Sequence, residues 1–154
     1  MSDIKAYTAS WLSHRKALQQ LVEACKDEHL TYKPWEKGMS FAELVLHIVN
    51  SAIMFVNIVK EGEFRPYSER PDPGAFSTIA ALSAYVNEQT EKTKAILESL
   101  TAEQLERTVQ FAHLTMSGQA MLDMSKEHEI HHKGQLFTYA RLCGVENLPF
   151  FIAR

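Results

Sequence analysis

The amino-acid sequence predicts an all-α fold, a single four-helix bundle domain spanning residues 1–154. Two observations lead to this prediction. Four stretches of about 22–27 residues each carry apolar side chains at helical spacing, every three or four positions. Capping residues, glycines and prolines separate these stretches. Four amphipathic helices of this length bury their apolar stripes most simply against one another.

The first two helices have clear ends. The first is predicted from Asp3 to Lys26 and the second from Ser40 to Glu61. Ser40-Phe41-Ala42-Glu43 has the pattern of a capping box, in which the first and last side chains bond each other's backbone. Gly62 follows as a C-terminal cap.

The second half of the chain contains the third and fourth predicted helices. Asp72-Pro73 predicts the start of the third helix, since Asp caps well and Pro suits the first helical position. The fourth is predicted from Ser117 to Gly144, and Gly134 within it predicts a close approach by a neighbouring element. Between these helices, Thr101–Gln104 has a capping pattern for a short turn. The β-branched and aromatic residues from Thr108 to Met116 indicate an extended connection.

The connection between the second and third helices is long enough to set the topology. Residues 62–74 can span up to ~43 Å when extended, whereas the second helix is only ~33 Å long. The link can therefore run the length of the bundle and leave these two helices parallel. An up-down-down-up arrangement is the predicted topology.

Composition and charge exclude several functions. Hydrophobic residues make up 45% of the chain, and the net charge is −3 with no cluster of Lys and Arg, so we expect no nucleic-acid partner. The apolar run from Leu44 to Val59 is shorter than the ~20 residues of a membrane span, so we expect no membrane partner. Two cysteines and no recognisable signal peptide predict a cytoplasmic protein.

Histidines in the fourth helix are the most informative feature. In His128-Glu129-Ile130-His131-His132, positions 128 and 132 are four residues apart and share one helix face, as two ligands of one metal ion require. Both fall in the middle of the apolar stripe, whereas Glu129 falls off it. Hydrogen-bonded structural histidines are the alternative, although each buried imidazole would then need partners for both nitrogens.

His47, in the second helix, is a candidate third ligand. It lies at the border between the apolar and polar faces of its helix, so its position alone leaves both a ligand and a structural role open. Asn50 and Gln135, each three residues after a candidate ligand, are candidates to hold these imidazoles in place.

The second helix carries apolar residues on both sides. Leu46, Val49, Ile53 and Val56 lie away from its main stripe. We expect this second side to form a homodimer interface. Coverage by the connections of the same chain is the alternative.

The two histidine motifs bring a family resemblance. The early motif is Glu43-Leu44-Val45-Leu46-His47-Ile48, and the late motif runs from His128 to Leu136, with Gly134-Gln135 after the last histidine. With these two motifs, the whole chain resembles the DinB/YfiT-like superfamily of metal-binding four-helix bundles. The resemblance implies up-down-down-up topology, a dimer, and a divalent metal held by His47, His128 and His132. Zn, Ni and Fe are the candidate ions, because imidazole ligands suit them.

The resemblance also implies classes of activity. Characterised relatives include metal-dependent thiol S-transferases and isomerases that use low-molecular-weight thiols, as well as hydrolases. The expected function is therefore a metal-dependent transferase or hydrolase acting on a small molecule, with an open metal position. No side chain stands out as the catalytic general base.

Two other functions are compatible with the sequence. One is a non-catalytic bundle that binds a metal or senses a ligand. The other is a zinc peptidase, because His128-Glu129-x-x-His132 matches the H-E-x-x-H pattern in which Glu129 would be the general base.

Overall fold

The structure, a computed structural model, describes residues 3–66 and 70–154. Within these residues the chain forms five α-helices, one β-hairpin and two short 3-10 turns, and the predicted four long helices are all confirmed. The α-helices are α1 (Ile4–Ala24), α2 (Phe41–Glu61), α3 (Ile79–Ser99), α4 (Ala102–Glu106) and α5 (Gly118–Leu142). The antiparallel hairpin pairs β1 (Thr108–Phe111) with β2 (Leu114–Ser117), and the 3-10 turns are Asp27–His29 and Pro73–Ala75.

Both ends of α2 are fixed by specific contacts. The Ser40 hydroxyl accepts the Glu43 N–H, and the Glu43 carboxylate accepts the Ser40 N–H at 2.5 Å, which confirms the capping box. At the other end Gly62 adopts a left-handed conformation with φ of 85°, which glycine tolerates best. The Arg107 guanidinium donates to the carbonyls of Val59 and Lys60. These contacts satisfy polar groups that a helix end leaves free and hold α2 in register.

The start of the third helix was predicted too early. Asp72 and Pro73 begin only a 3-10 turn, and α3 itself starts at Ile79 after the N-cap Thr78. Thr78 accepts the Ala81 N–H. Asp27, just after the end of α1, accepts the N–H of Ile79 at 2.7 Å. The local cap Thr78 and the long-range contact of Asp27 therefore fix this helix end together.

Two hydrophobic clusters show the direction of each helix. One cluster combines the end of α1, the start of α2, the start of α3 and the end of α5. The other combines the start of α1, the end of α2, the end of α3 and the start of α5. Helices α2 and α3 are therefore parallel to each other and antiparallel to α1 and α5. This confirms the up-down-down-up topology.

Both sides of α2 are covered within the single chain. Leu46, Val49, Ile53 and Val56 are all at most 4% exposed. The structure therefore supports the alternative, in which other parts of the same chain cover this side of α2. These four residues give no argument for a second subunit. The homodimer stays a prediction without support from this face.

By length and composition, α2 is long and apolar enough to cross a membrane. This differs from the expectation based on the apolar run from Leu44 to Val59, which is shorter than a membrane span. However, 83% of its apolar window is buried inside the bundle. Burial of this extent is typical of the central helix of a helical bundle.

Two glycines of α5 differ in their surroundings. The expectation for Gly134 was wrong, because nothing lies within 4 Å of a Cβ placed there. The close approach is at Gly118, where a Cβ would lie 2.3 Å from the carbonyl oxygen of Gln104. This contact places the start of α5 directly against α4.

Candidate metal centre

The structure brings His47, His128 and His132 together between α2 and α5. Nε2 of His47 lies 3.1 Å from Nε2 of His128. The ring centre of His132 is 4.8 Å from that of His47 and 4.4 Å from that of His128. One nitrogen from each residue lies within 4.8 Å of the other two. Two helices thus place three possible nitrogen ligands around one point, and all three side chains are half-buried.

A hydrogen bond orients His132. Its Nδ1 lies 2.8 Å from Oε1 of Gln135, one helical turn further along α5. An amide oxygen only accepts, so Nδ1 carries the proton and Nε2 keeps its lone pair. The predicted contact of Gln135 is confirmed. Such contacts fix the tautomer and ring orientation of metal ligands.

Asn50 does not play the corresponding role for His47. Its Oδ1 accepts the hydroxyl of Tyr85 at 2.6 Å, which ties α2 to α3. A residue at position i+3 lies on the same helix face as His47, but here the side chain of Asn50 is hydrogen-bonded to a residue of another helix. Asn50 therefore lines the site without holding the imidazole.

Burial favours the neutral form of two histidines in this cluster, His47 and His128. It lowers the pKa of His47, and the neighbouring His132 and Arg70 lower that pKa further. Burial, followed by the neighbouring histidines, lowers the pKa of His128 to about 4. Neutral imidazoles offer their lone pairs to a metal without first losing a proton.

A cavity of about 310 Å³ opens beside His47. Polar side chains form much of its wall, together with apolar residues from α2 and from the link before α3. Its lining consists of Met39, Glu43, Leu46, His47, Asn50, Ser51, Arg70, Pro71 and Pro73. A small molecule in this cavity would lie directly against one of the three clustered imidazoles.

Aromatic side chains lie beside His128 of the cluster. The ring of Phe55 lies 6.1 Å from that of His128 and 5.4 Å from that of Phe111 on the hairpin. Phe64, which is 45% exposed, continues the series at 5.5 Å from Phe111. A series of aromatic contacts thus runs from His128 to the hairpin.

The other histidines of the chain lie outside this group. His131 is exposed, although its ring centre is 4.7 Å from that of His132. His14 is half-buried, with Nδ1 2.9 Å from the Lys133 amine. The four-residue spacing of His128 and His132, which leaves His131 out of the pair, agrees with this arrangement.

Glu129 does not face the histidines, which agrees with its predicted position off their stripe. It is nevertheless buried, with 1% of its surface exposed, because it packs against α1. Its carboxylate accepts two bonds from the Arg15 guanidinium, at 2.6 and 2.8 Å, and one from the Trp11 indole at 3.1 Å. A carboxylate held in this way by α1 is not free to act as the general base of a peptidase.

One signal for this contact was present in the sequence. Trp11, Arg15 and Leu18 follow one another at helical spacing on the apolar stripe of α1. A charged residue on a buried stripe needs a buried partner of opposite charge. The structure supplies Glu129, so α5 buries one face against α2 and another against α1.

These features define a class of protein, the helical bundle with a three-histidine cluster between two of its helices. The family model of the DinB family matches residues 1–153. The chain therefore belongs to the DinB family, as its resemblance implied.

Relatives support this assignment along the whole length. YjoA of Bacillus subtilis (strain 168), an uncharacterised protein, is 42% identical over 147 residues, which cover 94% of this chain and 93% of YjoA. The crystal structure of YjoA, described as DinB-like, has a TM-score of 0.84 at 40% identity and covers 97% of this chain and 99% of its own.

More distant structures share the fold alone. A DinB-like protein from Bacillus cereus ATCC 10987 has a TM-score of 0.78 at 18% identity, with 95% of each chain covered. YfiT from Bacillus subtilis has a TM-score of 0.72 at 20% identity, with 95% of this chain and 91% of YfiT covered. YfiT is described as a probable metal-dependent hydrolase with an unusual four-helix bundle topology.

Proposed function

We propose that this protein is a metal-dependent enzyme that binds one divalent ion through His47, His128 and His132 and acts on a small molecule by thiol transfer or hydrolysis. The observation that carries the proposal is the convergence of three imidazoles beside a cavity open to solvent. Zn, Ni and Fe are the candidate ions, since imidazole suits all three.

The donor set fits such an ion. Two nitrogen ligands at ~2.0–2.1 Å from a tetrahedral zinc lie roughly 3.3 Å apart, and Nε2 of His47 and Nε2 of His128 are 3.1 Å apart. Structural zinc sites usually have four protein ligands, whereas catalytic sites have three and an open position. A three-histidine set therefore favours a catalytic role over a purely structural one.

A divalent ion held here would supply Lewis acidity, which lowers the pKa of a water or thiol that it binds. The protein would supply orientation. Gln135 holds the ring of His132, and the apolar ring of Phe55 packs beside that of His128. Glu43, on the cavity wall, is bound to the backbone of Ser40.

The cysteines of the chain support an external thiol rather than a protein nucleophile. Burial, and then the neighbouring Cys143, raises the pKa of Cys25 to about 11. Burial also raises the pKa of Cys143. Neither thiol belongs to the histidine group, and a thiol of raised pKa is a poor nucleophile at neutral pH. A thiol substrate would therefore come from solution.

Metal content tests the ligand set. Protein purified without a His-tag is loaded with zinc, desalted and measured by elemental analysis, as wild type and as His47→Ala, His128→Ala and His132→Ala. We expect about one ion per chain, lost in each variant. His131→Ala is the matched control, since this residue is exposed on the same helix, and it should keep the ion. Retention of the ion in His47→Ala would contradict the three-ligand site.

Activity separates the enzyme from a non-catalytic metal site. The zinc-loaded protein is assayed with ester and amide substrates, and with low-molecular-weight thiols offered an alkylating electrophile. Turnover that is lost in His128→Ala and kept in His131→Ala would support the enzyme. An ion that raises the melting temperature, with no turnover in either assay, would favour the non-catalytic alternative.

A further inference from the structure

We propose that Arg70 is an anion-binding residue of this site, and that the substrate is a small molecule bearing a carboxylate or another oxyanion, which Arg70 binds while the reacting group reaches the three histidines. This inference rests on the proposed function, because it names the substrate class for the same site. Its first support is placement, since Arg70 and His47 line the same cavity of about 310 Å³.

The guanidinium of Arg70 has no acidic partner in the part of the chain that is described. Among residues 3–66 and 70–154, no ion pair includes it. The contact recorded for its Nη2 is the sulfur of Met54, at 3.8 Å. A thioether is a weak acceptor, so this guanidinium has no strong acceptor within residues 3–66 and 70–154.

Three of the five other arginines provide a contrast. Arg15 is bound to Glu129, and Arg65, in the same link as Arg70, donates to Glu63 at 2.9 and 3.0 Å. Arg107 donates to two carbonyls at the end of α2. Arg70 thus differs from these three in lining the cavity without a strong acceptor.

The polar wall of the cavity also favours an anion. Asn50 has its oxygen occupied by Tyr85, so its amide N–H groups remain for a ligand. Ser51 adds a hydroxyl. The carboxylate in this wall, Glu43, already accepts the backbone N–H of Ser40. The wall therefore holds hydrogen-bond donors beside one carboxylate, and the guanidinium fork of Arg70 matches an oxyanion by two parallel hydrogen bonds.

Cobalt-loaded protein provides the test, because a thiol that binds Co²⁺ changes its visible and near-ultraviolet absorption. The probes are 3-mercaptopropionate, which carries a carboxylate, 2-mercaptoethanesulfonate, which carries a sulfonate, and 2-mercaptoethanol, which is neutral. A charge-assisted hydrogen bond at an exposed arginine gives about tenfold tighter binding. We expect 3-mercaptopropionate to bind about tenfold more tightly than 2-mercaptoethanol.

Variants assign this preference to Arg70. In Arg70→Gln the ratio of the two dissociation constants should fall to about one, with cobalt still bound in equal amount. Arg65→Gln is the matched control and should keep the wild-type ratio. An equal preference for the sulfonate would indicate a general oxyanion site, and preference for the carboxylate alone a carboxylate site; both support the proposal.

The outcomes separate the two proposals. Cobalt bound by the wild type, with a ratio near one or a ratio that Arg70→Gln leaves unchanged, would overturn the role of Arg70 and leave the metal site standing. Failure of the wild type to bind cobalt would instead overturn the proposed function, and the anion site with it.

Discussion

The buried ion pair between Arg15 and Glu129 gives the sharpest prediction on stability. Both side chains are at most 1% exposed, and two hydrogen bonds of 2.6 and 2.8 Å join them across α1 and α5. Trp11 donates a third bond to the same carboxylate. Glu129→Gln keeps the size of the side chain but removes its charge, so the Arg15 guanidinium is left buried without a carboxylate.

The expected cost is large. Breaking a buried ion pair from one side destabilises a protein by about 3–5 kcal/mol, because the remaining charge is uncompensated. In a domain of this size that lowers the melting temperature by about 6–20 °C. With an ordinary urea dependence it moves the unfolding midpoint down by about 2 M.

Urea unfolding followed by circular dichroism measures this effect, with metal-free protein so that binding does not contribute. The double variant Arg15→Met/Glu129→Met removes both charges and should be more stable than either single variant. Glu88→Gln is the control, since it breaks an exposed pair with Lys92 of similar length, 2.7 Å. It should cost under about 0.5 kcal/mol.

Two results would refute this reasoning. One is a Glu129→Gln variant within about 1 kcal/mol of the wild type, which would show that Arg15 does not depend on the carboxylate. The other is a double variant less stable than both single variants.

Three further predictions concern the site, the thiols and the backbone. Gln135→Leu should weaken zinc binding by about 10–100-fold in a competition titration, because the imidazole it orients is released; unchanged affinity would contradict this. The pKa of the Cys25 thiol is raised to about 11. At pH 8 this thiol should therefore be alkylated at about a thousandth of the rate of the full thiolate, and the rate should increase as the pH rises. Mass spectrometry measures the rate of alkylation. Gly118→Ala should destabilise by about 1–3 kcal/mol because of the Gln104 carbonyl, whereas Gly134→Ala should stabilise by up to about 1 kcal/mol; reversed signs in thermal unfolding would contradict both.

Local sequence determined the helices and part of the site. Periodicity and caps predicted four helices, and the ends of α2 at Ser40 and Gly62 agree with the structure. Spacing of four residues put His128 and His132 on one face of α5 and separated His131 from them. These features depend on contacts within one or two helical turns, so a short stretch of sequence contains the information.

The tertiary structure decided which faces meet. A helical wheel gives the angle of a residue on its own helix, but the partner of each face depends on how four helices pack. Packing against α1 buried Glu129, packing against α3 turned Asn50 toward Tyr85, and packing within the chain covered the second side of α2.

His47 shows most clearly the difference between what local sequence and what tertiary packing determine. On its own helix it lies at the border of the apolar stripe, and nothing local distinguishes a ligand from a structural residue there. It joins the cluster because α2 and α5 run antiparallel and bring its Nε2 to 3.1 Å from that of His128, 81 residues later in the chain. The sequence alone determined the helices and the ligand pair on α5, and only the packing of α2 against α5 completed the three-histidine group, because a contact between distant residues exists only once the chain has folded.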